Sequence, residues 1–349
     1  MTREAMRKGL ELAWACAAGV AVFLLVPGSL ALADDHPWLD SALLAAAKQE
    51  GTATVYSSIN EEEELPQLQN FETITGLKVD YIRGSDVSLM ARISIEARAG
   101  KATWDVLEIQ AAESVPKELR LAYAPPEAAH LMPDAVDPEQ RWYGGYTVYH
   151  TPAYNTTKVK QEDLPKTYED FAKHPEWDGH VGIDFTDRDW LAAMYSFYGE
   201  EKGRALIAAI VKAVHPALYN GHLALARALG SGEYWVTLNN FVNLSINVKL
   251  AGMPVDYWVL DPVAVTYGQI AINVQAPHPN TAKLLLNYLI SYEAELMRTK
   301  WGRIPTRLDV ATNPPGIFEQ FQGRKQVRAA LDPAEDAKWQ KIFNDLFKE

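Results

Sequence analysis

Over residues 51–109 the apolar and polar positions switch between a period of two and a period near three and a half. Short β-branched and aromatic runs predict strands over 52–56, 78–82 and 104–109. Helical repeats separate them. Over 61–75, Leu65, Leu68, Phe71 and Ile74 recur at three-residue spacing, and Gly76 closes the run. A second helix is predicted over 87–99. Strands alternating with helices predict crossover units and a largely parallel sheet. Small ligands of such sheets bind beyond the carboxyl ends of the strands. Here those ends carry Ser57, Ser58 and Asn60 after the first strand and Gln110 after the third.

The remaining pattern extends the same theme. A short amphipathic helix over 39–49 precedes the first strand, and another over 111–123 runs into Ala124-Pro125-Pro126. The Pro-rich, acidic stretch that follows, with Pro133 and Pro138, predicts a lid-like or peripheral loop. An aromatic run over 141–150 follows. A strand over 181–185 ends in Thr186-Asp187-Arg188-Asp189 and enters a helix over 190–198. Helices over 200–214 and 222–230 come next, then a strand over 233–238 ending in Asn239-Asn240. A helix over 241–250, a strand over 254–260 and an extended run over 263–274 follow. One long helix is predicted over 281–296, with Ala282, Leu285, Leu286, Leu289 and Ile290 as its apolar stripe, and a last helix over 332–347. The chain has no internal repeat and no low-complexity linker. Two domains joined by strands, not by a flexible tether, fit this pattern.

The N-terminus has an address pattern. Arg3, Arg7 and Lys8 precede an uncharged run over 12–33 that closes with Ala31-Leu32-Ala33, which predicts a signal peptide over 1–33. Pro27 and Gly28 favour cleavage there. An uncleaved anchor is the alternative, because the run is long enough to span a bilayer. Cys16, the only cysteine, precedes most of the apolar core and so does not fit a lipid-modified cysteine. Cleavage leaves no cysteine, which excludes disulfides, a cysteine nucleophile and a thiolate metal site. The remaining residues, 34–349, suffice for two domains. Cleavage removes three basic and two acidic residues, so the net charge moves from −12 to −13. An acidic chain without a basic cluster argues against nucleic acid and anionic lipid as partners.

Three stretches, VYSSINEEEE, NFETITGLKVDYIRG and AGKATWDVLEI, follow one another in an order and spacing that resemble the periplasmic solute-binding proteins of ABC importers, in the group that contains the ferric-iron-binding proteins. Later segments continue the likeness, among them the stretch over 162–171, which looks like the family's helix leading into the run over 177–183, and the run over 301–307. The resemblance implies an α/β, two-lobed, type II periplasmic binding fold with lobes joined by crossover strands. Lobe 1 would comprise 34–148 plus 268–311, and lobe 2 would comprise 149–267 plus 312–349. It implies capture of a small polar or anionic organic solute in the interlobe cleft and delivery to an ABC permease with its ATPase. The expected protein is a periplasmic monomer that needs no cofactor and performs no chemistry.

The expected ligand-binding residues are Ser57, Ser58, Asn60, Gln110, Thr186, Asp187, Arg188, Trp190, Asn239, Asn240, Phe241 and Tyr267. The iron-binding relatives hold ferric ion with a His, a Glu and two adjacent Tyr. Those positions fall on Asn60, Gln110, Phe241 and Val242 here, and none is ionisable, so iron binding in that mode is not expected. Asn239 and Asn240, beside the bound anion in the relatives, are retained. Arg188 offers a fork suited to carboxylate or phosphate, or else pairs with Asp187 or Asp189 at the surface. Trp190 and Phe241 directly follow cleft loops and could stack on a ligand. Two other features have plainer readings. Glu61, Glu62, Glu63 and Glu64 complement the positive end of a helix dipole. His174, Glu176, Asp178 and His180 are metal-ligand types, but Pro175 and Gly179 make their segment a loop, and no metal site is expected there. No nucleophile-elbow, zinc-protease or phosphate-loop motif occurs. Ferric binding through Tyr146 and Tyr267 with an exogenous anion, a secreted enzyme, and a signalling receptor subunit remain as alternatives.

Overall fold

The computed structural model describes residues 36–110, 112–328, 331 and 333–348. The expected signal peptide lies outside the described residues. Helix α1 (Ser41–Glu50) leads into the predicted crossover series of β1 (Ala53–Ser57), α2 (Glu61–Thr75), β2 (Val79–Arg83), α3 (Asp86–Arg98) and β3 (Val106–Ile109). Both β2 and β3 pair with β1 in parallel. The apolar side of α2, with Leu68 and Phe71, is buried on this sheet. Gly76 ends the helix in the left-handed region, as a glycine can without strain.

The chain then enters β4 (Tyr143–Asn155), a strand buried along its whole length. It has no acid, lysine or arginine, which is what burial on both faces demands. The second series follows as β5 (Val181–Asp184), α4 (Arg188–Tyr198), α5 (Glu200–Val214), β6 (Ala217–Tyr219), α6 (His222–Ser231), β7 (Val236–Phe241), α7 (Val242–Leu250) and β8 (Val255–Tyr257). The returning β9 (Val263–Ile272) is equally buried and pairs antiparallel with β4. Helices α8 (Pro279–Leu289), α9 (Tyr292–Arg298) and α10 (Ile317–Phe321), strand β10 (Gln326–Arg328) and helix α11 (Pro333–Phe347) complete the chain.

The strand order is β2-β1-β3-β9-β4-β7-β5-β6, with β10 beside β9 and β8 beside β4. The carboxyl half of β9 pairs with β3, and the carboxyl half of β4 pairs with β7 and β8. These two strands therefore cross from one α/β half to the other, which makes a two-lobed fold joined by crossover strands. Their packing is tight at one point. The Tyr146 ring lies against Gly268, where any Cβ would overlap it.

Several local expectations differ from the structure. The expected helix over 111–123 is reduced to two single 3-10 turns, Ala112–Ser114 and Lys117–Leu119, separated by Pro116. The expected helix over 162–171 is likewise 3-10, in two pieces around Pro165. The long helix over 281–296 is broken, because Ser291 leaves helical geometry and its Oγ accepts a hydrogen bond from Ala294 N at 3.2 Å, capping α9. Of the two readings of the Pro-rich loop, lid-like or peripheral, the contacts fit the peripheral one. Glu127 accepts from Arg307 at 2.5 Å, and Met132 N donates to Thr306 O at 2.9 Å.

Candidate functional site

The carboxyl ends of β1 and β3 build one wall of the cleft. Asp86, the first residue of α3, accepts a hydrogen bond from Gln110 N at 3.1 Å and bonds the Ser58 side chain, so three separate segments meet there. Ser57 lies deeper, fully buried, its Oγ accepting from Ile59 N at 3.1 Å. Asn60 sits at the rim and accepts from Arg83 Nη2 at 2.8 Å.

The opposite wall is made by the carboxyl ends of β5 and β7, the start of α6 and the middle of β4. Asp184 organises it. Its Oδ1 accepts from Thr186 N and Thr186 Oγ1 at 2.8 and 2.5 Å, and its Oδ2 accepts from Gly221 N at 2.5 Å. Such a turn, closed by an aspartate side chain, redirects the chain within two residues. It carries Asp187 inward. Asp187 is fully buried, and the Asn239 amide donates to its carboxylate without offsetting the burial. His222 Nε2 stands 3.5 Å from its Oδ1. Burial, then the neighbouring charges of Asp184 and Asp189, raise its pKa well above the usual carboxylate range.

Asp189 is one-quarter exposed and lies on the open side. Its Oδ1 accepts from Trp190 N at 2.8 Å, and its Oδ2 is 3.7 Å from His150 Nε2. Burial pushes the His150 pKa down to about 3, so the imidazole is neutral and keeps a lone pair. His150 Nδ1 contacts Asn239 Nδ2 at 3.3 Å, and its Nε2 contacts Thr266 Oγ1 at 3.4 Å. His222 stacks on Phe241 with ring centroids 3.7 Å apart. His222 Nδ1, Asn239 Oδ1 and Asn240 Nδ2 are buried without hydrogen bonds. Buried polar atoms of native proteins are rarely left so, and these orphans at one strand end make the place a candidate for ligand or water contacts.

The two walls face each other closely. The charge of Asp189 adds to the raised pKa of Asp86, behind burial as the main cause. Ile59 packs in one apolar cluster with Phe241 and Leu244, and Glu62 pairs with Arg227 at 3.8 Å. Behind the first wall, Glu63 and Glu64 are buried rather than spread over a solvated helix end. Arg303 Nε donates to Glu63 at 2.8 Å and Arg298 Nη2 to Glu108 at 2.6 Å. The Arg303 guanidinium lies 4.3 Å from the Tyr146 ring centroid.

Of the residues expected to bind ligand, Ser58 and Gln110 join the first wall, and Asp187, Asn239, Asn240 and Phe241 join the second. Thr186 is used in the Asp184 turn. Arg188 points to neither expected place. Its Nε and Nη2 donate to Asp336 at 2.5 and 3.2 Å, and its Nη1 donates to Gln340 at 2.9 Å. Trp190 is fully buried in the core beside Tyr168. Tyr267 is opposite Thr147 in the ladder, while Tyr146 is opposite Gly268. The two tyrosines therefore project from opposite faces and lie in separate apolar clusters, so they cannot share one ion. The loop histidines also diverge. His174 stacks on Trp177, His180 stacks on Trp235, and Asp178 pairs with His215.

Sequence reasoning missed His150, Asp189, His222 and Asp86 as wall residues. The histidine in an otherwise uncharged buried strand was a usable signal for the first. The others carry no local mark.

This geometry agrees with the chain's likeness to known proteins. The bacterial extracellular solute-binding protein family model matches residues 67–320, and the chain belongs to that family. A curated relative, the Fe(3+)-binding periplasmic protein of Serratia marcescens, is 27% identical over 213 residues, 59% of this chain and 61% of that protein. The chain thus spans about three fifths of the length of the curated relatives it matches. Iron-bound HitA from Pseudomonas aeruginosa superposes with a TM-score of 0.71 at 21% identity, covering 85% of this chain and 99% of that one. AfuA from Actinobacillus pleuropneumoniae, with bound fructose-6-phosphate, superposes with a TM-score of 0.72 at 20% identity, with the same coverage. The fold is that of two-lobed type II periplasmic binding proteins, and the family is the solute-binding component of ABC importers.

Proposed function

We propose that this protein captures a small polar solute carrying positive charge in the cleft between its lobes and delivers it to an ABC permease with its ATPase. The observation that carries the reading is Asp187, fully buried among further acids, with the Asn239 amide and the His222 ring as its polar neighbours and no Lys or Arg paired with it among the described residues. Burial and the charges of Asp184 and Asp189 favour the protonated form of Asp187, and ionising it there costs on the order of several kcal/mol. A cationic solute offsets that cost, whereas an anion would increase it. The anionic solute expected from Arg188 loses its main support, because that guanidinium is occupied by Asp336.

Ser58, Asp86 and Gln110 would meet the solute from one side, and Asp187, Asn239, Asn240 and Phe241 from the other. Lobes of 34–148 plus 268–311 and 149–267 plus 312–349 would close by bending β4 and β9, as hinge motions do. Export to the periplasm, a monomeric state and binding without chemistry belong to the same reading. A thermal-shift screen tests it. Organic amines and divalent cations should raise the melting temperature, phosphate and carboxylates should not, and Asp187→Asn should abolish the response. Stabilisation by anions that persists in Asp187→Asn would reject the reading.

A further inference from the structure

We infer that His150, Asp187 and Asp189 form a binding site for a divalent transition-metal ion, with His222 as an additional donor. This deepens the reading above, since it names the chemical class of the cation. Each of the three residues offers one ligand atom, and the three atoms lie within 4.8 Å of one another. Donors around an ion bonded at about 2.1 Å are roughly 3–4 Å apart, so side-chain shifts of about an ångström close this set on a metal. His150 Nε2 and Asp189 Oδ2 are already in that range, at 3.7 Å. His222 Nε2, 3.5 Å from Asp187 Oδ1, is placed to complete the shell.

The donor set fixes the class of ion. Two carboxylates balance a 2+ charge, and one or two imidazoles favour zinc, manganese, iron(II) or cobalt over calcium and magnesium, which take oxygen donors. It is also distinct from the His, Glu and two Tyr of the iron-binding relatives, whose positions hold Asn60, Gln110, Phe241 and Val242 here. A second observation points to a ligand independently of the two carboxylates, since His222 Nδ1 is buried with no hydrogen bond. Asn239 Oδ1 is fully buried with no hydrogen bond, next to His150. The oxygen and nitrogen of an amide are interchangeable by a flip. The flipped amide would accept from Nδ1–H and leave the Nε2 lone pair directed at the carboxylates, giving up the bond that Asn239 otherwise donates to Asp187, whose oxygens then turn to the metal. A carbonyl accepting from the far nitrogen is the usual support of a metal-bound histidine. Asn239 is then a positioning residue, not a ligand.

The test is a titration of the purified protein with Co²⁺ alone, followed by its visible d–d absorption, with Zn²⁺ competition read by calorimetry. The expected result is one saturable Co²⁺ site, displaced by Zn²⁺. Asp189→Asn, which lies on the open side and leaves the core intact, should weaken it at least tenfold. Asp187→Asn and His150→Ala should abolish it, and thermal melts would report whether they fold. Asn239→Ala should shift the absorption spectrum more than the stoichiometry. Co²⁺ binding unchanged in Asp189→Asn and in a folded Asp187→Asn would overturn the site. No Co²⁺ binding, with organic amines still stabilising the protein through Asp187, would overturn the metal and leave the cationic reading standing. No response to either class would overturn both.

Discussion

Arg188 and Asp336 form a forked pair across 148 residues of sequence, with Nε 2.5 Å from Oδ1 and Nη2 3.2 Å from Oδ2. The guanidinium is largely buried and the carboxylate is partly exposed. The pair fastens α11 to the start of α4, next to the turn that presents Asp187. Arg188→Ala should therefore lower stability by about 1 kcal/mol, the scale of a partly exposed charged pair. Solute affinity should stay within about twofold of wild type. Denaturant unfolding and calorimetry with the same two proteins check both halves. A large affinity loss without a stability loss would return Arg188 to the site.

Glu63 and Arg303 are both buried, and removing one leaves the other uncompensated. Glu63→Ala should cost about 3–5 kcal/mol. Replacing both residues, as Glu63→Leu with Arg303→Met, should recover much of that loss. Equal losses in the single and double variants would show that the pair is not what holds this region.

Glu295 is buried, accepts from Thr306 Oγ1 and Arg307 N, and has its pKa raised by burial to about 8. The nearby arginines offset this only in part, since Arg298 is paired with Glu108, and Arg307 with Glu127 and Asp309. A carboxyl whose folded pKa lies above its unfolded value near 4.5 favours the fold while it is protonated. Its contribution is fully present below pH 4.5 and is lost as pH rises through about 8. Glu295→Gln cannot lose that proton. Its stability deficit relative to wild type should shrink steadily from pH 5 to pH 8 in urea titrations. A deficit independent of pH would mean that Glu295 is already ionised.

Gly268 faces the Tyr146 ring with no room for a Cβ. Gly268→Ala should destabilise by about 3 kcal/mol, at the upper end for overpacking. Adding Tyr146→Leu should restore part of it. Melting temperatures of the three variants decide the point.

The fold was readable because its information is local and periodic. The series from β1 to β3 alternates strand and helix patterns that declare themselves within ten or fifteen residues. The breaks were less readable. Ser291 interrupts an apolar stripe that runs on past it, and only its capping bond reveals two helices. The site was half readable. Strand ends announce Ser58, Gln110, Asn239 and Asn240, since any parallel sheet places ligands there. His150 and His222 reach Asp187 only through the pairing of β4, β7 and β5, which no short window contains. The direction of Arg188 depends on Asp336 in the last helix. Four consecutive glutamates looked equivalent, but helical geometry turns successive residues by about 100°. That rotation sends Glu63 and Glu64 inward while Glu61 and Glu62 remain exposed.

The central claim is that the cleft reads positive charge through Asp187. Native mass spectrometry of the protein purified from its own host, followed by denaturation and identification of what is released, tests it most directly. The account predicts a stoichiometric cation, an organic amine or a divalent metal, retained by wild type and absent from Asp187→Asn. A stoichiometric phosphate ester or carboxylate, carried equally by both proteins, would contradict it.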